Sequence, residues 1–564
     1  MKLPLIYHDG KRIDDLRTAI RAAARRYSAR PALMQKSGGA YGEISYAELL
    51  YRVEGLGTEL LTRGFYGKRV ILMGDNSIGW ATVFLAAVCG LAIPVTVDRD
   101  ISEQNLLKIV EKTGASAIFY SSRLKDKLSS LPESLERISF SETDEIFEAG
   151  SLNLAGGNTD YLRLSVEPDD LAVISFTVSS SGEPRGIMLS HKNICSDLSA
   201  LTRTLICYPE DVFLSVLPMH HTREMTVGFL YPLISGASIG FCEGLRYLSG
   251  NLGEVRPTVM VCVPYLIETM YRKINNNIRI KGKEKSVKVS RKLTGSSISL
   301  KKRIFKEIHD SFGGRLRLLI SGGAQTDPET VRGMREFGFR TAQSYGLSDC
   351  LPLIAVSSDF AFKNASVGVC VPDGVLDIYN IGSDGIGEIR YKGENVMSGL
   401  LGEPAKTASM KKDGWLYTGD LGYIDRDGFL YITGKKKNAI LTASGKSVFP
   451  EELESLLRKN SFISEAIVVG YANEIRENYD VVAVLLPDQS RFEEVYGKGF
   501  TRGQVDAEFM RAVAEVNAQV DSHKRINFFV TRRTPFTASP SRKISRAVVA
   551  QEARADYLRK LART

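Results

Sequence analysis

Seven short apolar runs rich in β-branched residues punctuate the first 340 positions, at 70–73, 93–97, 117–120, 173–176, 213–217, 259–263 and 316–320. Most intervals between them carry apolar side chains at helical spacing. A strand, a helix and a second strand in that order bring the chain back in the same direction, so the pattern predicts stacked α/β subdomains on parallel sheets. Beyond position 359 short strands broken by Gly/Asp turns, as in 385–391 and 422–432, predict a small β-barrel. After a basic tract at 434–438, the pattern predicts a helix at 451–458, strands at 466–470 and 481–486, and an amphipathic helix bearing Phe509, Val513, Val516 and Val520. The expected class is therefore α/β, with a large domain over 1–434 and a smaller, mobile α+β domain over 435–564.

A chain of 564 residues is too long for one ordinary core, and 43% hydrophobic with 25% charged residues suits a globular protein. Positions 1–15 lack the apolar core of a signal peptide, which predicts a cytoplasmic protein. The longest apolar stretch, 81–97, is interrupted by Cys89-Gly90 and Pro94 and reads as a buried helix running into a strand. Seven scattered cysteines without a Cys-x-x-Cys pair predict reduced thiols, and six histidines without ligand spacing argue against structural zinc. The formal charge is +9, and much of the excess lies in 272–303, where Arg279, Lys281, Lys283, Lys285, Lys288, Arg291, Lys292, Lys301 and Lys302 face only Glu284. That stretch reads either as a solvated face or as a peripheral contact with anionic lipid headgroups. It lacks the interleaved aromatics of a nucleic-acid binder.

The strand reading at 171–175 runs into Phe176-Thr177-Val178-Ser179-Ser180-Ser181-Gly182-Glu183-Pro184-Arg185-Gly186. Backbone N–H groups, the hydroxyls of Thr177, Ser179, Ser180 and Ser181, and the Arg185 guanidinium all donate to phosphate oxygens, while Gly182 and Gly186 let the backbone come close. No Gly-Lys-Ser/Thr ends the turn, so it is not a Walker loop. The apolar Ile187-Met188-Leu189 follows, and Ser190-His191-Lys192-Asn193 reads as the start of the next helix.

This turn resembles the phosphate loop of the adenylate-forming (AMP-binding) superfamily, Thr-Ser-Gly-Thr-Thr-Gly-x-Pro-Lys-Gly, with departures at Val178 and Ser179 and arginine for lysine at 185. Further segments follow in the superfamily's order over nearly the whole chain. Leu217-Pro218-Met219-His220-His221-Thr222-Arg223-Glu224 and the 256–268 segment are most similar to long-chain acyl-CoA synthetases, which implies His221 near the substrate carboxylate and Met225 beside an acyl chain. Ser321-Gly322-Gly323-Ala324 and Gln343-Ser344-Tyr345-Gly346-Leu347-Ser348-Asp349 resemble the adenine-binding strand ends. The resemblance implies nucleotide contacts from Gly323, Ala324, Ser344, Tyr345, Gly346 and Ser348, and a Mg²⁺ carboxylate at Asp349, where the family carries glutamate. Residues 413–420 match the ribose motif, implying that Asp420 accepts from both ribose hydroxyls. Lys435 stands where an arginine would assist, Lys437 at the hinge and Gly445 at a substrate tunnel. Residues 535–546 resemble the terminal segment that places Lys543 as the catalytic lysine, with Pro540 and Arg542 as departures.

The resemblance implies an ATP- and Mg²⁺-dependent, AMP-forming acyl-CoA synthetase that activates a medium- or long-chain fatty acid to acyl-AMP and passes it to coenzyme A. In that reading Lys543, His221 and Arg185 act at the reacting centre, and Thr177, Ser179, Ser180, Ser181 and Gly182 hold phosphate. Two alternatives stay open at this level: a ligase loading a separate acyl-carrier protein, and a non-catalytic nucleotide or acyl binder, suggested by Ser179, Asp349, Lys435 and Arg542.

Overall fold

The computed structural model describes residues 7–10, 12–178, 182–282, 284, 285, 287, 298–358, 361–441, 447–473, 478–536 and 545–562. The chain divides into two compact units: residues 1–377, 390–417 and 424–431 form the first, and 378–389, 418–423 and 432–564 the second.

Two large sheets organise the first unit. One has seven strands in the order Gly399–Leu400, Pro184–Ser190, Leu171–Val178, Ile93–Val97, Arg69–Met73, Ala117–Tyr120, Glu136–Ser139. Its five last-named strands run parallel. Val70, Ile71, Leu72 and Met73 are buried, as expected of a strand covered by helices on both faces. The other sheet has nine strands, with Val212–Ser215 near its middle. Ser238–Phe241 and Pro31–Ser37 lie to one side of that strand, and Val259–Cys262, Leu318–Gly322 and Arg340–Tyr345 to the other, all parallel. The strand order thus reverses at Val212–Ser215, and in parallel sheets the carboxyl ends beside such a reversal are where ligands bind.

All seven apolar runs fall on strands. Helices begin where hydroxyl or carboxylate caps predict: Ser102 caps Glu103–Thr113, which Gly114 ends in a left-handed conformation, and Ser190 with Asn193 forms a capping box at His191–Thr204. The 81–97 stretch is a buried helix, a π turn at Ala87–Leu91 and then the Ile93–Val97 strand. No helix among the described residues is long and apolar enough to cross a membrane.

The structure adds to the sequence reading in two places. Residues 187–189 do not simply lead into a helix; they belong to Pro184–Ser190, which folds back antiparallel on Leu171–Val178, making the phosphate turn a hairpin tip. Where a barrel is expected, the described residues pair in a five-stranded sheet. Trp415–Ile424, ten residues long, pairs with Gly387–Lys392, Lys411–Lys412 and Leu430–Lys435, and Val375–Tyr379 pairs with Gly387–Lys392. The two-residue Lys411–Lys412 strand covers only Trp415 and Leu416.

The second unit carries the three-stranded sheet Ile463–Asn473, Asn478–Pro487, Phe528–Thr531. Pro450–Leu457 and Arg502–Asn517 contribute Leu453, Leu457, Phe509 and Val516 to one core, and Arg546–Leu561 contributes Val549, Ala553 and Tyr557 to another.

Candidate functional site

In the first unit, Thr177 and Arg185 stand directly opposite each other in the hairpin ladder, so their side chains share one face. Gly182 in the tip adopts φ +86°, a conformation that favours glycine. Its carbonyl accepts from Asn105 Nδ2 at 3.1 Å, and Lys108 pairs with Glu183 at 2.8 Å, tying the tip to a neighbouring helix. Ser179, Ser180 and Ser181 lie outside the described residues. Gly186 faces the Phe176 ring so closely that a Cβ there would collide with it. The Arg185 guanidinium reaches Asp349, with Nη2 2.8 Å from Oδ1 and 3.1 Å from Oδ2. Asp349 is 8% exposed and sits in the 3₁₀ turn Ser348–Cys350, whose backbone is held by Met397 N–H donating to the Asp349 carbonyl at 2.9 Å.

The carboxyl ends of Leu318–Gly322 and Arg340–Tyr345 lie side by side, Ser321 opposite Gln343 and Gly322 opposite Ser344. Gly323 (φ +90°) and Ala324 are exposed, Ser344 is buried and Tyr345 is 7% exposed. Gly346 packs on the Pro352 backbone, where a Cβ would not fit. The segment after Val212–Ser215 reaches the same sheet edge. His221 is half-buried, its N–H donates to the Pro218 carbonyl at 3.0 Å, and its ring lies 4.2 Å from that of His220. His220 is buried, which with the neighbouring His221 and Arg99 charges holds its imidazolium form far below the usual range. Glu224 is buried in a π turn; Ser215 Oγ donates to Oε1 at 2.6 Å, and burial pushes its carboxyl up to about 8. Arg223, which the sequence reading assigned no role, is buried against Gly322 and donates to Ser344 Oγ at 2.7 Å. The signal for it was a lone cation opening an otherwise apolar run, Met225 to Leu230.

In the second unit, Asp420 is 5% exposed and accepts from Lys435 Nζ at 2.8 Å. The Asp420 N–H donates to Thr418 Oγ1 at 3.1 Å, and Thr418 Oγ1 donates to the Ile389 carbonyl at 2.7 Å. Lys436 pairs with Glu388 at 2.7 Å. Lys437 is exposed in the turn Lys436–Asn438. Lys543 and Gly445 lie outside the described residues. The described ends of the segment bearing Lys543 are both anchored in this unit: the Phe536 N–H donates to Glu465 Oε2 at 3.0 Å, and Arg546 holds Glu454 and, at 3.3 Å, Glu451.

Two mostly parallel sheets with hydroxyl, glycine and guanidinium groups gathered at their edges define an α/β enzyme architecture suited to a nucleotide. The profile of the family described as AMP-binding enzyme matches residues 20–401, and that of the AMP-binding enzyme C-terminal domain matches 437–556. The chain belongs to the AMP-binding enzyme family. It is 28% identical to long-chain-fatty-acid–CoA ligase 1 of Cavia porcellus over 80% of this chain and 71% of that one. It is 26% identical to the long-chain-fatty-acid–CoA ligase FadD15 of Mycobacterium bovis over 92% of each. Among solved structures, the anthranilate CoA ligase AuaEII in complex with anthranoyl-AMP superposes with a TM-score of 0.76 at 16% identity, covering 98% of each chain. A Mycobacterium tuberculosis fatty acyl CoA synthetase superposes at 0.66 and 19% identity, covering 96% of this chain and 99% of that one. At these identities the structural matches establish the shared fold.

Proposed function

We propose that the protein is an AMP-forming acyl-CoA synthetase acting on medium- or long-chain fatty acids. The observation that carries this reading is the hairpin that sets Thr177 opposite Arg185 and brings Arg185 to the buried Asp349, in a chain similar along 92% of its length to a long-chain ligase. The division into 1–434 and 435–564 belongs to the same proposal, and the separate profile matches support it.

In the first half-reaction a carboxylate oxygen bonds to the α-phosphorus of ATP, the bond to the β,γ-diphosphate breaks, and acyl-AMP and pyrophosphate result. Thr177, the serines of the tip and Arg185 bind the phosphates and orient the departing group. His221 lies beside the carboxylate, Asp420 and Lys435 hold the ribose, and Lys543 neutralises charge building between the reacting oxygens. In the second half-reaction a thiol displaces AMP, with the smaller domain turning at Lys437.

Asp349 fits Mg²⁺ by its chemistry: it supplies hard carboxylate oxygens, and its contact with Arg185 places them beside the phosphate hairpin. Among the described residues no group of three or more His, Cys, Asp or Glu could hold a metal; Asp349 would hold the ion together with nucleotide phosphates and water. Bound there, the ion would supply neutralisation of phosphate charge.

The thiol is proposed to be that of CoA. Peripheral contact with a bilayer through 272–303 is proposed alongside, supported by Ile280, 79% exposed between Arg279 and Lys281, and by Leu300 and Ile304, about 40% exposed beside Lys301, Lys302 and Arg303. The deciding experiment is exchange of labelled pyrophosphate into ATP with a panel of carboxylates, chased by CoA or an acyl-carrier protein. Exchange that requires a fatty acid, followed by release as the CoA thioester, is expected. Exchange with no carboxylate at any chain length, in folded protein, would favour a binder, and release only to the carrier would reassign the acceptor.

A further inference from the structure

A Cβ at position 322 would displace the guanidinium of Arg223, which fills the space it would enter. From there Arg223 Nη1 donates to Ser344 Oγ at 2.7 Å and Nη2 to the Pro352 carbonyl at 3.4 Å. With its oxygen engaged by the cation, the Ser344 hydroxyl turns its own proton to the Ser321 carbonyl at 3.3 Å. One guanidinium therefore cross-links two adjacent strand ends and the far end of the 346–352 turn that carries Asp349. Asn395 supports the same turn, donating to the Cys350 and Leu353 carbonyls at 3.1 and 2.7 Å.

This arrangement is costly. Among the described residues no carboxylate forms an ion pair with Arg223, which is 8% exposed. Asp197 gives Oδ1 to Asn395 at 3.2 Å, its buried Oδ2 has no hydrogen-bond partner among the described residues, and burial pushes its carboxyl well above the usual range. A side chain needed only to fill the space would be apolar, since buried ionic groups are frequently replaced by hydrophobic ones with no loss of stability. The fork geometry, reaching a hydroxyl on Arg340–Tyr345 and a carbonyl in the turn that follows that strand, is what a hydrocarbon or a lysine cannot reproduce.

We propose that Arg223 is a positioning residue for the nucleotide: it orders Gly322, Gly323, Ser344 and the 346–352 turn into the surface that receives the purine and aligns Asp349. The proposal rests on the reading of these strand ends as the nucleotide site.

The test uses Arg223→Lys, Arg223→Met, Gly322→Ala and the Gly322→Ala/Arg223→Met pair in the full chain. AMP affinity is measured by titration calorimetry, the KM for ATP and for fatty acid separately, and the unfolding midpoint in parallel. Arg223→Lys should unfold within about 2 °C of the parent yet bind AMP roughly tenfold more weakly, with the ATP KM rising in step and the fatty-acid KM changing less than about twofold. Arg223→Met should weaken AMP by about a hundredfold. Gly322→Ala should weaken it similarly, and the pair should be no worse than the poorer single variant. AMP affinities of Arg223→Lys and Gly322→Ala within about twofold of the parent overturn the proposal, as does a common rise of both KM values that follows lost thermal stability. If Arg223→Met does not fold, the lysine and alanine variants decide. A parent that binds AMP but adenylates no carboxylate sinks the proposed function and leaves the AMP arm to judge Arg223; a parent that binds no AMP overturns both.

Discussion

Arg185 and Asp349 form an ion pair, the guanidinium 2.8 Å from one carboxylate oxygen and 3.1 Å from the other. The cation proposed for phosphate and the acid proposed for metal thus neutralise each other in this structure. Binding must trade this contact for phosphate oxygens on one side and a metal on the other, so the two residues should behave as a coupled unit.

Asp349→Ala should lower adenylation by roughly ten- to a thousandfold, and Asp349→Glu should preserve or raise it. In a cycle of Arg185→Lys, Asp349→Glu and both together, the two changes should be non-additive by about 1 kcal/mol or more, because the longer acid restores the reach that the shorter cation loses. Pyrophosphate exchange across a Mg²⁺ titration measures both effects. An unchanged rate and Mg²⁺ requirement in Asp349→Ala would retire the residue from catalysis.

Lys543→Ala should cripple acyl-adenylate formation while sparing thioester formation from synthetic acyl-AMP. The lysine is proposed to act only while charge builds at the α-phosphate, a contribution of about 3 kcal/mol or more. Single-turnover rates of the two half-reactions separate the cases, and equal loss in both would show that the role is misassigned.

Asp420→Asn should raise the ATP KM by about a hundredfold, because the amide loses the charge and one acceptor that both ribose hydroxyls would share. Lys435→Arg should equal or improve on the parent, since a planar fork can hold Asp420 and a ribose oxygen together. AMP titration reads both, and an Asp420→Asn protein binding AMP as tightly as the parent would remove the residue from the site.

Glu224 links the site to stability. Its folded carboxyl is raised to about 8 by burial, above the value of about 4.3 in an unfolded chain. The folded state therefore holds the proton more tightly, and the stability this group contributes is fully present below about pH 4, falls as pH rises and is lost through about pH 8. Urea unfolding at pH 5.5 and 8 should show the parent losing more stability than Glu224→Gln, by more than about 1 kcal/mol. Parallel losses would mean that the Glu224 carboxyl is not the titrating group.

The parallel strands were legible because a strand buried on both faces must be apolar throughout, as Ala117 to Tyr120 is. Ser238–Phe241 and Glu136–Ser139 were not, because four residues including glycine, serine or charge carry too little pattern. The Pro184–Ser190 arm was obscured by the helix cap that closes it at Ser190. Of the site, the residue types at Arg185, Asp349, Asp420 and Lys435 could be read in order along the chain, but their pairing could not. Arg223 was hidden for a related reason: its partners, Gly322, Ser344 and Pro352, come together only through the sheet, and a single cation before an apolar run carries no address.

The ladder between Leu171–Val178 and Pro184–Ser190 acts as a ruler for the phosphate site. The separation of Thr177 and Arg185 is set by the spacing of paired backbones, whatever joins them at the tip. Serine at 179 or valine at 178 can therefore replace other residues without moving either anchor. A change of length by one residue is another matter, because a strand that slips by one place turns every side chain to its opposite face, and Arg185 would then point away from both Thr177 and Asp349.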